Sequence, residues 1–190
     1  MLQILHDEYK DQKNFREFNL RNMEFDFKKY LANEFINIFS IGAMSTNILQ
    51  IGFDEYKVLL FLLSNETSKI KIFESTNKSR KNFDYLDNMF PNRISIVYGN
   101  PNITVVDYIR KDFDKFDLIH INGPKIYEST RLDVLNCYYV SNKRTFILYE
   151  NRDDLYLDLL KHKIIVETRG NQYLLENNNN KQKLLKYNNI

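Results

Sequence analysis

The stretch that decides the fold is Phe116-Asp117-Leu118-Ile119-His120-Ile121-Asn122-Gly123. It is short, mostly apolar and rich in β-branched residues, and a glycine follows it. This pattern is typical of a strand that is buried on both faces, as strands of parallel sheets are. His120 lies inside the apolar run, so we interpret it as a core histidine and not as a ligand.

Similar short runs occur before and after this stretch, and they alternate with segments of helical spacing. Five strand–helix units in a row predict a parallel sheet with right-handed crossovers and helices on both faces. The predicted strands are Asn47–Gly52, Lys69–Glu74, Arg93–Tyr98, Phe116–Asn122 and Lys143–Glu150, and the predicted helices lie near Glu55–Leu63, Lys78–Met89, Val105–Lys111, Glu128–Tyr139 and Asp153–Lys161.

Both ends of the chain depart from this rhythm. Lys163–Thr168 and Gln172–Glu176 are two predicted strands whose connection is too short for a crossover helix, so we expect the last strand to be antiparallel. Residues 177–190 are polar and are predicted to be a loose tail. Residues 1–46 are amphipathic and predicted to be helical. They are interpreted first as helices packed on the edge of the 47–176 domain, and alternatively as a lid or a homodimer contact.

Composition limits the classes of function. With 43% hydrophobic and 27% charged residues, the 190-residue chain is predicted to form one globular α/β domain. A net charge of +2 gives no electrostatic reason to expect nucleic acid or an anionic membrane as a partner. The longest apolar run, Val58–Leu63, is too short to span a bilayer. Cys137 is the single cysteine; we interpret it as a small buried side chain and expect a reducing, cytoplasmic location.

Residues 47–176 resemble the class I S-adenosylmethionine (SAM) methyltransferases, and in particular the small-molecule O-methyltransferases. The resemblance is strongest in Phe116–Asn122, where the family has Phe-Asp-Leu-Ile-His-Ile-Asp, and it includes Gly52 and Glu74. It implies a doubly wound, Rossmann-like α/β fold with a mostly parallel, seven-stranded sheet and a terminal antiparallel strand. Ligands of such sheets bind outside the carboxyl ends of the strands.

The resemblance also implies which residues hold SAM at that edge. The first loop would approach the methionine part, the acid after the second strand would accept the ribose hydroxyls, and the residue after the third would lie near the adenine amine. Two of these residues also have a simpler explanation. An acid that ends a strand, such as Glu74, is often only solvated, and the sequence Gly-Asn-Pro-Asn around Asn100 is typical of a turn. The implied SAM-binding residues are Gly52, Phe53, Asp54, Glu74, Ser75 and Asn100.

Three positions of the first loop depart from the family pattern. Gln50 replaces an acid, Tyr56 replaces a second glycine, and Val58 replaces a small hydroxyl residue. Glycine permits close backbone approach to a ligand and an apolar Val cannot donate a hydrogen bond. These departures predict SAM binding weaker than in relatives with an intact loop.

The end of the fourth strand carries the implied catalytic group. In the metal-dependent branch of the family, an Asp at the position of Asn122 binds Mg²⁺, and a Lys at the spacing of Lys125 is the general base. Asn122, Glu150 and Asn151 would supply three oxygen ligands but only one charge, so we predict weak or absent Mg²⁺ binding. Alternatively, Glu150 and Asn151 cap the helix that starts near Asp153.

Two functions follow from the resemblance. The first is an enzyme that transfers the methyl group of SAM to a hydroxyl of a small molecule, with Lys125 and Asn122 as catalytic residues. The alternative is a binding or structural module with the methyltransferase fold that has lost SAM binding and catalysis. A third function is the binding of another nucleotide-like ligand in the same pocket, since fold does not fix function. The enzyme ranks slightly ahead because Glu74, Lys125 and the Asn122, Glu150 and Asn151 set occur together.

Overall fold

The computed structural model describes residues 32–111, 114–123, 126–150, 153–162, 164–167 and 182–187. The chain divides into two compact units, Met1–Leu31 and Ala32–Ile190, and every described residue belongs to the second. The helices are α1 (Ala32–Ala43), α2 (Glu55–Ser64), α3 (Arg80–Met89), α4 (Pro101–Lys111), α5 (Tyr127–Tyr138) and α6 (Asp153–Lys161). The strands are β1 (Asn47–Ile51), β2 (Lys69–Glu74), β3 (Ile94–Tyr98), β4 (Phe116–Ile121), β5 (Ser141–Glu150), β6 (Ile165–Glu167) and β7 (Gln182–Tyr187).

One sheet contains all of these strands, in the order β3-β2-β1-β4-β5-β7-β6. Strands β1 to β5 pair in parallel, which confirms the predicted α/β fold with five parallel strands. The order reverses between β1 and β4: β2 and β3 lie on one side of β1, and β4 and β5 lie on the other. We call the gap outside the carboxyl ends of β1 and β4 the switch point. Ligand sites of open α/β sheets lie at such a gap.

Among the described residues, β7 runs antiparallel to its neighbours, and it lies beyond the strand that we predicted to be antiparallel. Strand β7 pairs antiparallel with both β5 and β6, and its residues belong to the segment that we predicted to be a loose tail. That prediction is wrong for Gln182–Tyr187, because pairing with Ile147–Glu150 of β5 satisfies backbone groups that would otherwise form an open edge. The predicted strand Gln172–Glu176 lies outside the described residues.

The two faces of the sheet are covered differently. On one face, side chains such as Leu49 and Ile119 form a core with α4, α5 and α6, and Cys137 of α5 is fully buried in that core, as predicted. On the other face, α2 covers β1 and β4, and the ring of Phe61 lies edge-on, 6.0 Å from the ring of His120.

The helix α1 packs on α2, so residues 32–43 belong with the α/β unit, although we had predicted a helical extension that continued to residue 46. The remainder of that predicted extension, residues 1–31, lies outside the described residues. Among the helices that the structure describes, none has both the length and the apolar character needed to cross a membrane.

Candidate functional site

The first loop and the fourth-strand loop meet at the switch point. The amide N of Gly52 donates to the carbonyl of Phe73 at 2.8 Å, and the amide N of Asn122 donates to the carbonyl of Ile51 at 2.8 Å. Gly52 has a φ of +78°, which disfavours any residue with a Cβ. A Cβ added there would lie 2.8 Å from the carbonyl carbon of Asn122. The glycine is therefore required by the close approach of protein backbone, whether or not a ligand also binds.

Asp54 connects the first loop to α2 and to β4. Its Oδ1 accepts the backbone N–H of Lys57 at 3.1 Å and so caps α2. Its Oδ2 lies 3.5 Å from Nζ of Lys57 and accepts from Nδ2 of Asn122 at 3.4 Å. The side chain of Lys57 is only 3% exposed. We call Asp54, Lys57 and Asn122 the Lys57 cluster, and it lies at the switch point.

A second polar pair lies deeper, between β1 and β4. Gln50 and His120 are both fully buried and are partners in the strand register. Nε2 of Gln50 lies 3.1 Å from Nδ1 of His120. Burial, together with the nearby ammonium of Lys57, holds the pKa of His120 well below its ordinary value. His120 is therefore a neutral core histidine, as interpreted from the sequence. At position 50, where the resemblance implied an acid, an amide contacts this imidazole.

Glu74 ends β2 beside the first loop. Its Oε2 accepts a hydrogen bond from the backbone N–H of Phe53 at 2.7 Å. Its Oε1 accepts from the hydroxyl of Ser75 at 3.0 Å and from the backbone N–H of Thr76 at 3.1 Å. The ring of Phe53 lies edge-on to Phe83, 6.4 Å between ring centres. The structure thus brings together three of the residues that the resemblance implied for SAM, and it fixes the direction of the carboxylate.

Asn100 begins the turn into α4. Its Oδ1 accepts the backbone N–H of Asn102 at 3.0 Å, and its carbonyl accepts the backbone N–H groups of Ile103 and Thr104, each at 2.9 Å. The preceding Gly99 donates its N–H to the carbonyl of Glu74 at 2.9 Å, which places this turn next to the end of β2. Asn100 is therefore a turn residue, as the alternative interpretation of the sequence expected. Its side chain is exposed at the carboxyl edge of the sheet.

Of the three implied metal ligands, only Asn122 has its side chain among the described residues. Asn122 directs its amide N–H toward Asp54, and an ammonium lies 3.5 Å from that carboxylate. Within the described ranges, no three His, Cys, Asp or Glu side chains are arranged to hold a metal ion. Asn151 and the candidate base Lys125 lie outside the described residues, as does the side chain of Glu150, which is the last residue of β5. Weak or absent Mg²⁺ binding stays a prediction.

All three loop departures are buried positions, and Gln50 is paired with His120 as described above. The side chain of Tyr56 is 5% exposed, and that of Val58 is completely buried. Both residues belong to the first turns of α2, an almost wholly apolar helix. The large ring at position 56 therefore packs within the protein, and it does not stand free in the expected ligand space.

Asp133 on α5 is a buried acid that we did not predict from the sequence as a site residue. The residue is 2% exposed, and burial raises the pKa of its carboxyl to about 7. Its Oδ2 lies 3.3 Å from where a Cβ on Gly123 would stand, so the carboxyl lies directly under the loop that follows β4. The available signal was its spacing: Asp133 precedes Cys137 by four residues and so shares the buried side of the helix.

A cleft of about 280 Å³ lies at the opposite edge of the sheet, where the strands begin. Lys69 and Lys71 of β2 line it together with Asp114. The hydroxyl of Tyr108 donates to Asp114 at 2.8 Å, and Nζ of Lys71 lies 4.8 Å from the centre of the Tyr108 ring. Because the cleft is at the amino ends of the strands, it is separate from the switch point.

Comparison with known proteins gives the fold. No protein-family model matches the chain, and no curated protein matches it. Among solved structures, the chain is similar to the Bacillus cereus O-methyltransferase in complex with SAH, at 12% identity and a TM-score of 0.64, over 82% of this chain and 80% of that one. It is similar to the O-methyltransferase TomG of Streptomyces achromogenes, involved in tomaymycin synthesis and solved with SAM, at 10% identity and a TM-score of 0.66, over 94% and 90%. It is also similar to an SAH-bound Podospora anserina methyltransferase, at 13% identity and a TM-score of 0.65, over 97% and 94%. The chain therefore has the fold of the class I SAM-dependent O-methyltransferases.

Proposed function

We propose that this chain is a SAM-dependent methyltransferase-like protein that transfers a methyl group to a hydroxyl of a small molecule. The observation that carries the proposal is the fixed carboxylate of Glu74, which ends β2 beside the Gly52 loop. Structures with the same fold, from Bacillus cereus and Streptomyces achromogenes, were solved with SAH and SAM.

The hydrogen bonds of Glu74 leave room for a sugar hydroxyl. A carboxylate offers about four acceptor positions. Phe53, Ser75 and Thr76 occupy three of them. One ribose hydroxyl can therefore be accepted without displacing a bond that holds the first loop.

Asn100 supports the same placement of the ligand. Its Oδ1 is used within its own turn, but the side chain is exposed beside the end of β2, so its amide can reach a nucleobase edge. Adenine near Asn100 and ribose at Glu74 would direct the methionine part of SAM toward Gly52 and Asp54, at the switch point.

Methyl transfer is an in-line displacement, so most of the rate would come from positioning the two reactants. We propose Lys125 as the group that orients or deprotonates the acceptor hydroxyl. Asn122 would act through its bond to Asp54, with no metal ion between them. The cytoplasmic location and a homodimer through the N-terminal helices stay predictions.

The Lys57 cluster favours a second candidate function. A buried ammonium stands where the first loop and β4 meet, and Asn122 is tied to Asp54. The polar groups of the Lys57 cluster are paired with one another. Such pairing is what we expect of a module that has lost catalysis and keeps only a binding or structural role.

Calorimetry with SAM and with SAH, each with and without Mg²⁺, separates the two functions. The enzyme requires saturable binding of both ligands by the wild type. We expect Glu74→Gln to weaken SAM binding about tenfold through loss of a charged acceptor. The matched control Glu66→Gln, in the turn between α2 and β2 at the opposite edge, should leave it unchanged.

Three outcomes would count against the proposal in different ways. Wild type that binds neither ligand supports the inactive module. Binding that is unaffected by Glu74→Gln would refute the placement of the ribose. Binding with no methyl transfer to small hydroxyl compounds, in wild type and in Lys125→Ala alike, would refute catalysis.

A further inference from the structure

Two negative charges that the family pattern places near the switch point are missing from this chain. Gln50 stands where an acid is expected, and Asn122 stands where a metal-binding Asp is expected. Both replacements are amides of nearly the same shape. The amide of Gln50 is fully buried against His120, and that of Asn122 is directed at Asp54.

A positive charge is buried in the same place. Lysine side chains are almost never fully buried unless they are paired, and Lys57 is 3% exposed. Its counter-charge is the Asp54 carboxylate, 3.5 Å from Nζ. Lys57 lies in the first turn of α2, and its backbone N–H also donates to Asp54, at 3.1 Å. Side chain and main chain together fix the carboxylate.

The direction of the Asn122 amide depends on this arrangement. Its Nδ2 donates to Oδ2 of Asp54 at 3.4 Å, the same oxygen that faces the ammonium. A divalent cation bound at that oxygen would have to stand within a few ångströms of Nζ, where like charges repel and the burial of Lys57 weakens screening by water.

We infer that the Lys57 ammonium is a built-in cation at the switch point, which takes the place of a metal ion and positions Asp54 and Asn122. The inference deepens the proposed function, because it describes the charge of the same site. It does not depend on SAM binding for its test. Lys57 is thus a positioning residue that acts through Asp54.

The test measures Mn²⁺ binding at constant ionic strength in the absence of SAM, by the electron paramagnetic resonance signal of free Mn²⁺. Lys57→Met removes the charge at similar volume and leaves Asp54 without its counter-ion. We expect Mn²⁺ affinity to rise at least about tenfold over wild type. Adding Asp54→Asn to this variant should abolish the gain. The control Lys71→Met, at the opposite edge of the sheet, should show no gain.

A second variant keeps the inference falsifiable if Lys57→Met fails to fold. Asn122→Asp restores the family's ligand while Lys57 is present, and we expect it to raise Mn²⁺ affinity less than about threefold, because the ammonium still neutralises the site. A gain of about tenfold or more in Asn122→Asp would overturn the inference. So would a folded Lys57→Met protein with wild-type Mn²⁺ affinity. A chain that binds no SAM can still pass or fail both measurements, so the two proposals are judged separately.

Discussion

Gly52→Ala should lower the free energy of unfolding by about 2–5 kcal/mol. Its φ of +78° costs a residue with a Cβ about 1–2 kcal/mol. The new methyl group would also stand 2.8 Å from the carbonyl carbon of Asn122 and 3.1 Å from the amide N of Gly123. Both neighbours are backbone atoms that cannot rotate away, and overpacking of this kind costs about 1–3 kcal/mol more.

Urea unfolding followed by circular dichroism measures this loss, with Gly42→Ala as the control. Gly42 lies in α1, and a Cβ there meets the hydroxyl of Ser64, which can rotate, and also the ring of Phe61 at 3.0 Å. Its φ is not positive and alanine favours a helix by up to about 1 kcal/mol over glycine, so the control should lose less stability than Gly52→Ala. If Gly52→Ala loses no more than Gly42→Ala, the contact between the first loop and the β4 loop is not tight, and our account of this glycine is wrong.

Two further predictions concern buried titratable groups on α5. Because burial raises the pKa of Asp133 from 3.8 to about 7, the folded state holds a proton that the unfolded state releases, so stability should fall as pH rises between about 4 and 7 and then level off. Asp133→Asn should remove most of that slope and be more stable than wild type near pH 8 in urea unfolding; an unchanged slope would contradict the assignment. Cys137 is fully buried, and burial together with Asp133 raises the pKa of its thiol, so a thiol reagent should label it only as the protein unfolds. Rapid labelling of the native protein would contradict this expectation.

The parallel strands could be predicted from the sequence because each is a short apolar run bounded by turn residues. The predicted Lys69–Glu74 has the bounds of β2, and the predicted Phe116–Asn122 exceeds β4 by one residue. Strand β7 could not be predicted in this way. Gln182–Tyr187 has three polar residues in six, and it becomes a strand because β5 and β6 both offer it backbone partners. That information lies in the distant strands and not in the segment itself.

The candidate site was predictable only in its outline. A glycine after β1 and an acid after β2 could be located by counting along the chain, and the structure places Gly52 and Glu74 at neighbouring loops. The partners of those residues were not visible. Asp133 and Lys57 are charged residues within helices, where a charge usually marks the solvent face. Only the packing shows that both are buried.

Gln50 and Asn122 both replace an acid by an amide, and a buried ammonium, that of Lys57, lies at the switch point. Taken together, these three residues are more informative about the charge of the switch point than any one of them alone. A divalent cation brings two positive charges, and the family pattern supplies acids at the positions of Gln50 and Asn122. This chain has an amide at each of those positions, and among the described residues one buried ammonium, that of Lys57, is paired with the carboxylate of Asp54. The pairing of Gln50 with His120 is incomplete, because Oε1 of Gln50 and Nε2 of His120 are buried without a hydrogen-bond partner among the described residues. The pairing of Lys57 with Asp54 supports the internal cation that we infer above. We therefore expect SAM to bind as tightly without added Mg²⁺ as with it, and the paired calorimetry tests this expectation.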